Sequence, residues 1–549
     1  MSPIREPSHE RRHMRIELAG ETLRLAFRSW RAVSESFAAA IVRVASISIL
    51  ALTFASCTPA IGTYEKTVTK APADTQSTFL ARRSDALGNP HDGRSGIYLV
   101  SDGPEALGLR LVLTDRAEKT IDAQYYLLHD DSAGHLFAWQ LLRAADRGVR
   151  VRLLLDDMDV ASYDVMSAAL DRHPNIEIRL FNPFRRGFGK NIAMLFEFGR
   201  INRRMHNKSM TFDNVATIVG GRNIGDVYFA AREDSNYNDL DVLGVGPIAK
   251  EVSASFDAYW NSSYAVPAEV VIQSQNKKLT LDEARQRLSD LAKEAKKTPY
   301  GDALSHGIRE GITKRDIGLD WVPAELVADP PEKASNEARN QDLVASVVRP
   351  FLLDAESEVL VSSAYFVPRK QGEAFLSELS AKGVKVSILA NSLDSTDVVP
   401  VYGHYARSRE TLLKAGVELW ELRPDSSRPD RERLGLGLSQ SSLHTKAFAV
   451  DNRYLFVGSF NWDPRSVWIN NEMLVLIESE KLASGAAAAF RERIEANAFR
   501  LRLDDTGGID WVTLREDGAI LVYKREPTDS QWRAFMGKVY GLLPIGSQL

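Results

Sequence analysis

The sequence predicts an α/β protein of two similar α/β lobes, each with a mixed β-sheet, related by internal duplication and pseudo-twofold symmetry. Two observations carry this. One order of elements occurs twice: an apolar strand, a helix-periodic run ending in glycine, and a second apolar strand. One short motif also occurs twice, His206-x-Lys208-x4-Asp213 in "RRMHNKSMTFD" and His444-x-Lys446-x4-Asp451 in "SSLHTKAFAVD", 238 residues apart. A chain of 549 residues is long enough for two such domains.

The first 57 residues read as an N-terminal extension and anchor. "RRHMR" and "RLAFRSWR" are basic, and Arg43 precedes "VASISILALTFAS", thirteen uncharged residues that end at Cys57. That run is too short for an ordinary membrane-spanning helix and has the layout of an export signal. "FASC" resembles the lipobox of bacterial lipoproteins, which marks Cys57 as the lipidation site. The other readings are a buried apolar helix with an inert cysteine, and cleavage to a soluble exported protein. A single cysteine excludes an intramolecular disulfide framework and a multi-cysteine metal site.

Residues 58–90, rich in Thr, Ala, Pro and Ser, read as a tether. Residues 91–265 read as the first domain. Within it "KTIDAQYYLLH" is a strand, "AGHLFAWQLLRAADRGV" a helix closing near Gly148, and "RVRLLLDD" the next strand. Near-continuous apolar strands suit a sheet covered on both faces. Residues 266–335 read as an inter-domain insert, in which "NKKLTLDEARQRLSDLAKEAKK" is a solvated helix of alternating charge. Residues 336–549 read as the second domain with a C-terminal extension. There "SEVLVSSAYFVP", "GEAFLSELSAKGV" and "KVSILANSLD" repeat the strand–helix–strand order, with Gly383 at the helix end.

Each motif sits on a hairpin-like unit. "KSMTFDN" leads through a turn to "VATIVGGRN", and "KAFAVDN" leads to "RYLFVGSFN". Side chains alternate along a strand, so the His and Lys of each motif share a side. Asn223 and Asn461 follow Asp213 and Asp451 by ten residues in both units.

Packing two such hairpins about a pseudo-twofold axis would bring two histidines, two lysines and two asparagines to one cleft. Ammonium and amide donors suit phosphate oxygens. One imidazole can attack phosphorus, and the other can protonate the leaving oxygen and then activate an incoming hydroxyl. Lysines can neutralise the developing charge, so the reading calls for no cofactor and no metal; beside lysines a cation would be repelled.

The motif pair with "GGRN" and "GSFN" resembles the paired HKD motifs of the phospholipase D superfamily. "DAQYYLLHDD", "AADRGVRVRLLLDD", "VGGRNIGDVYF", "DLDVLGVGP", "NNEMLVLIES" and "GLLPIGSQL" are similar to the bacterial cardiolipin synthase branch, its C type in particular. The resemblance covers residue 90 to the end. It implies that His206 attacks and His444 is the general acid and then base. Lys208, Lys446, Asn223 and Asn461 would bind the phosphoryl oxygens. It also implies a carboxylate orienting the attacking-side histidine, matched by Glu472, with Asp239 at the equivalent place in the first half. Asp213 and Asp451 complete the candidate catalytic set as motif members, and their place at the far strand ends reads as structural, bonding turn amides. Asp226 and Asp463 read equally as helix caps or site residues.

The implied reaction transfers a phosphatidyl group to phosphatidylglycerol, giving cardiolipin. Phosphatidylethanolamine stays open as donor or acceptor. Hydrolysis to phosphatidic acid is the near alternative. Nuclease chemistry is disfavoured by a net charge of −4 and the membrane-directed N-terminus. A non-enzymatic lipid-binding lipoprotein is disfavoured by the complete duplicated residue set. "DVYFA", "NPFRRGFG" and "RSVWI" are candidate lipid-entrance stretches. The expected partners are phospholipids and a membrane surface in the bacterial envelope. A monomer suffices for a two-motif site.

Overall fold

The structure, a computed structural model, describes residues 64–158, 163–184, 197–231, 235–272, 279–297, 301, 318–424, 440–514 and 518–549. In each half, three apolar runs form adjacent parallel strands: Thr120–Tyr125, Arg150–Asp156 and Ile176–Phe181, and then Glu358–Ser363, Lys385–Asn391 and Glu418–Leu422. The crossover helices Ser132–Asp146 and Arg369–Ala381 stop where Gly148 and Gly383 take φ of 94° and 90°. In both, the amides of the glycine and the next residue turn back onto the last helical carbonyls.

The motif hairpins join the other edge of these strands. Ser209–Phe212 and Ala216–Gly220 pair antiparallel beside Thr120–Tyr125, followed by Asp241–Val245. Lys446–Val450, Tyr454–Gly458 and Met473–Glu478 repeat that order beside Glu358–Ser363. On the far side, antiparallel strands Ala265–Pro267 and Ala498–Leu503 are equivalent. Among the described residues nine strands make the first sheet and ten the second, and seven share one order and direction in both.

The sheets meet through apolar side chains. Ile97, Val219 and Val242 of the first share a buried cluster with Leu455, Val457, Val475 and Ile477 of the second. Each such fully buried side chain contributes roughly 1.5–3 kcal/mol. Residues Tyr64–Leu549 form one compact unit.

The same turn closes both motif hairpins. Asp213 and Asn214 have φ of 50° and 55°, and Asp451 and Asn452 both have φ of 52°. Two consecutive left-handed residues make the tight turn that matches strand twist, and Asp and Asn tolerate it.

Two stretches differ from their sequence reading. From Tyr64 on, the segment expected as a tether lies against the first lobe. Its main chain bonds Arg152 and Arg179 through the carbonyls of Thr69 and Thr67, and Asp257 through the amide of Ala71. It then forms a helix, Phe79–Ala86, capped by Thr78. These contacts use backbone groups, which an apolar pattern does not reveal. The helix expected to be solvated, Leu281–Ala295, has a Thr280–Glu283 capping box and buries Ala284, Leu288, Ala292 and Ala295. That stripe is narrow, with three alanines and one leucine. Beyond it, Asp320–Val322 pairs with the first sheet and Ala324–Ala328 with the second, so the chain changes sheets at Pro323.

Candidate active site

The two halves exchange carboxylates. His206 Nδ1 lies 2.8 Å from Glu472 Oε2, and His444 Nδ1 lies 2.6 Å from Asp239 Oδ2. The backbone supports the exchange in the same way on both sides. The His206 amide donates to the carbonyl of Asn471, and the His444 amide to that of Asn238, both at 2.8 Å. A short parallel pairing of Ser235–Asn238 with Gln440–Leu443 and a bridge between Met205 and Asn471 complete the join. Each histidine is therefore fixed by the residue preceding the other half's carboxylate and by that carboxylate.

With Nδ1 donating to a carboxylate, the Nε2 of each imidazole carries the reactive lone pair or proton. Both histidines are buried. Burial lowers the His206 pKa to about 4, with Glu472 opposing the shift and Lys208 adding to it. Burial, then Lys446, Lys208 and His206, hold His444 well below the usual histidine range. These mutual influences place His206, His444, Lys208 and Lys446 in one electrostatic neighbourhood. Each motif lysine donates to the carbonyl of its own histidine, Lys208 at 2.5 Å. Burial depresses both lysines, Lys446 to about 8. A buried site whose groups disfavour one another's positive charge is prepared for an anion, whose entry would raise all four pKa values.

Asn223 Oδ1 accepts from the Leu127 amide and its Nδ2 donates to the Tyr228 hydroxyl, while Asn461 Oδ1 accepts from the Tyr365 amide. Asp213 and Asp451 stand apart from the histidines. Asp213 accepts from the amides of Glu118, Lys119 and Thr120; Asp451 accepts from those of Glu356, Ser357 and Glu358. Each tethers its hairpin turn to the start of the neighbouring parallel strand. Asp463 caps the helix Pro464–Trp468 through the Ser466 amide. Asp226 accepts from the Ala133 amide at the start of Ser132–Asp146.

The structure adds groups that sequence reading did not select. Tyr237 stacks on His444 with ring centroids 4.9 Å apart, and Tyr228 meets it edge-on at 5.2 Å. Tyr126 meets His206 edge-on at 5.1 Å, with Lys208 Nζ 5.2 Å from its ring centre. Ser459 and Ser466 both donate to Glu472, at 2.5 and 2.9 Å. Ser459 stands in "GSFN" where the first half has Gly221 in "GGRN", so the repeat offset carried a signal for it. Tyr237 lies in the stretch between Asn223 and Asp239, five residues longer than its counterpart, where no offset guides the eye.

The candidate lipid-entrance stretches divide. Val227, Tyr228 and Phe229 of "DVYFA" are buried, which removes them from an exposed entrance. Phe184 of "NPFRRGFG" is buried under Arg204, and residues 185–189 lie outside the described residues, as does Cys57. Trp468 of "RSVWI" is exposed.

Comparison with known proteins places this geometry in context. The family model "Cardiolipin synthase, PLD-like domain" matches residues 112–260 and 348–494, one copy in each half. The chain is 38% identical over 470 residues to "Cardiolipin synthase C" of Escherichia coli (strain K12), covering 84% of this chain and 97% of that protein. It is 32% identical over 452 residues to an "Uncharacterized protein" of Helicobacter pylori (strain ATCC 700392 / 26695), covering 81% and 87%. Among solved structures it is similar to the phosphatidylserine synthase of Haemophilus influenzae Rd KW20, with a TM-score of 0.50 at 15% identity over 77% of this chain and 92% of that one. That last likeness concerns the fold alone.

Proposed function

Because the chain belongs to the cardiolipin synthase family of phospholipase D-like enzymes and is a phosphatidyltransferase, we propose that it makes cardiolipin at the crossed His–carboxylate site, with phosphatidylglycerol as acceptor. In this reading the neutral His206 attacks phosphorus through Nε2. His444 takes up a proton on Nε2 as the anionic phosphodiester enters and raises its pKa; a P–N bond then forms at His206, the P–O bond to the leaving group breaks, and His444 gives that oxygen its proton. Glycerol leaves if the donor is phosphatidylglycerol, ethanolamine if it is phosphatidylethanolamine. The hydroxyl of an incoming phosphatidylglycerol then gives its proton to His444 and attacks phosphorus, and the P–N bond breaks. Lys208, Lys446, Asn223 and Asn461 hold the non-bridging oxygens. Glu472 and Asp239 fix the two imidazoles, and Asp213 and Asp451 hold the hairpins on which the site stands.

The observation that carries the reading is the pair of histidines, each buried and fixed through Nδ1 by a carboxylate of the other half. Two such groups on one chain let a monomer supply the whole site. We place the enzyme at the membrane of the bacterial envelope, with the apolar stretch before Cys57 as its anchor; among the described residues no helix is long and apolar enough to cross a membrane. The domain limits 91–265 and 336–549 enclose the two family matches.

The test is incubation of purified enzyme with mixed vesicles of phosphatidylglycerol and phosphatidylethanolamine, with products resolved by mass. Cardiolipin is expected, and the released headgroup identifies the donor. Phosphatidic acid as the sole product would make the enzyme a hydrolase.

A further inference from the structure

Eleven large apolar side chains are exposed among the described residues, and six of them are Phe198, Trp468, Trp532, Phe535, Leu542 and Leu543. Four of the six lie on the C-terminal arm, in or just after helix Gln531–Leu542. Trp532, Phe535 and Leu542 recur at helical spacing on one face together with the exposed Lys538. The opposite face carries Gly537 and Gly541, which admit the helix against Gly403: a Cβ at Gly403 would fall 2.2 Å from the Gly537 carbonyl oxygen. The helix is thus seated tightly by its glycines and turns its aromatic rings outward, with Trp532 and Phe535 5.6 Å apart.

This arm rims the site. At its start Arg533 donates to the carbonyls of Leu393 and Thr396, both at 2.8 Å. The next residue, Asp397, accepts from the hydroxyls of Tyr365 and Tyr237, and Tyr237 is the ring stacked on His444. At its end the Leu549 carbonyl accepts from the Arg465 amide, and Gln548 bonds Asn202, four residues before His206. Arg465 in turn donates to Asn202, so this end spans both halves beside Trp468.

From this geometry we infer that the C-terminal arm, with Trp468 and Phe198, is the face by which the enzyme seats on the surface of an anionic phospholipid bilayer. The inference rests on the phosphatidyltransferase reading, which requires lipid to enter a buried site. Tryptophan and phenylalanine at helical spacing with an adjacent lysine fit the headgroup boundary. An anionic surface complements Lys538, and the arm's contacts place that surface next to the histidines. Lipid then enters the site without crossing water.

The experiment uses the full chain with Cys57→Ser and a polarity-sensitive fluorophore on Gln531→Cys, and the same label on Glu492→Cys as a remote control. Phosphatidylglycerol vesicles should blue-shift emission at residue 531 and leave residue 492 unchanged. A Trp532→Ala/Phe535→Ala variant should lose at least tenfold in turnover of vesicle lipid and stay within twofold on a short-chain phosphatidylglycerol below its critical micelle concentration. No shift at residue 531, or equal vesicle turnover by the double variant, would overturn the inference. A shift that grows with protein concentration without lipid would assign the face to a second copy and overturn it too. If the unsubstituted enzyme makes no cardiolipin from either vesicles or the monomeric lipid while the shift at residue 531 occurs, the function reading fails and the docking face stands.

Discussion

The His206 and His444 sides of the site share strand order and backbone contacts, and they differ in what surrounds each histidine's carboxylate. Glu472 accepts from His206, Ser459 and Ser466. Burial pushes its pKa up, but His206, Lys208 and the Ser459 bond outweigh burial and leave it below the usual glutamate value. Asp239 accepts from His444 and the Leu240 amide, and burial holds its pKa above the usual aspartate value. The serines have no counterparts there: Gly221 replaces Ser459, and Tyr228 replaces Ser466. A partner whose charged form is favoured by its surroundings raises the electron density of the imidazole it binds, which suits an attacking group. A partner whose charged form is disfavoured by burial supports its imidazole's positive charge less, which suits an acid. Duplication supplied two equal frames, and in the proposed mechanism the two serine replacements, with Asp239 in place of Glu472, separate the roles.

The largest expected contrast is between the histidines themselves. His206→Ala should lower phosphatidyl transfer by about 10⁴-fold or more, since it removes the atom that bonds phosphorus. His444→Ala should slow both steps, but with no base to activate the acceptor the intermediate that does form should persist, and intact-mass analysis should find a chain carrying one phosphatidyl group. Normal turnover by His206→Ala, or the adduct on the wrong variant, would reverse the assignment.

The carboxylates come next. Glu472→Gln should cost about 10²–10⁴-fold in kcat/KM through loss of imidazole orientation and basicity. Removing a negative partner lowers the pKa of the histidine it faces. His206 already titrates near 4, so the acid limb should not move up in pH. Asp239→Asn should lower the pKa of His444, so the proton is lost at lower pH and the alkaline limb of the rate profile should move down. An unmoved alkaline limb would separate Asp239 from the general acid.

How far the sequence revealed this contrast depends on the kind of signal. The duplication, the strand–helix–strand units and the two motifs were legible because each is local or recurs at one offset. The turn function of Asp213 and Asp451 was legible for the same reason: their amide partners, 118–120 and 356–358, keep that offset too. The swap of carboxylates was reached through family resemblance, since no spacing within one half tells that its carboxylate serves the other. The crossover pairing of 320–328 was not legible, because a three-residue edge strand has no periodicity and its partners lie in two sheets. Tyr237 was hidden likewise, its place set by folding of the longer loop onto His444.

A smaller effect should come from the serines. Ser459→Ala or Ser466→Ala should reduce kcat/KM by about tenfold, one lost charge-assisted bond of 1.5–3 kcal/mol being partly recovered by rearrangement. Gly221→Ala probes the other side. Its Cβ would fall 2.3 Å from Asp239 Oδ1, so it should displace the His444 partner and shift the alkaline limb as Asp239→Asn does. A Gly221→Ala enzyme with an unchanged pH profile would show that Asp239 tolerates displacement.

The smallest contrast concerns stability. Asp213 is fully buried, whereas Asp451 is partly exposed, although each holds three amides. Asp213→Ala takes the acceptor from the amides of Glu118, Lys119 and Thr120 at a fully buried position, and should cost roughly 3 kcal/mol in unfolding free energy. Asp451→Ala takes the acceptor from the amides of Glu356, Ser357 and Glu358 at a partly exposed position, where water replaces part of the lost bonding, and should cost roughly 1 kcal/mol. Asn at either position keeps one accepting oxygen and tolerates the left-handed backbone, so it should recover part of the loss. Denaturant unfolding of the four variants reads the difference. Equal losses at both sites would mean that the two turns are alike in solution, and that the two halves differ only at the carboxylates.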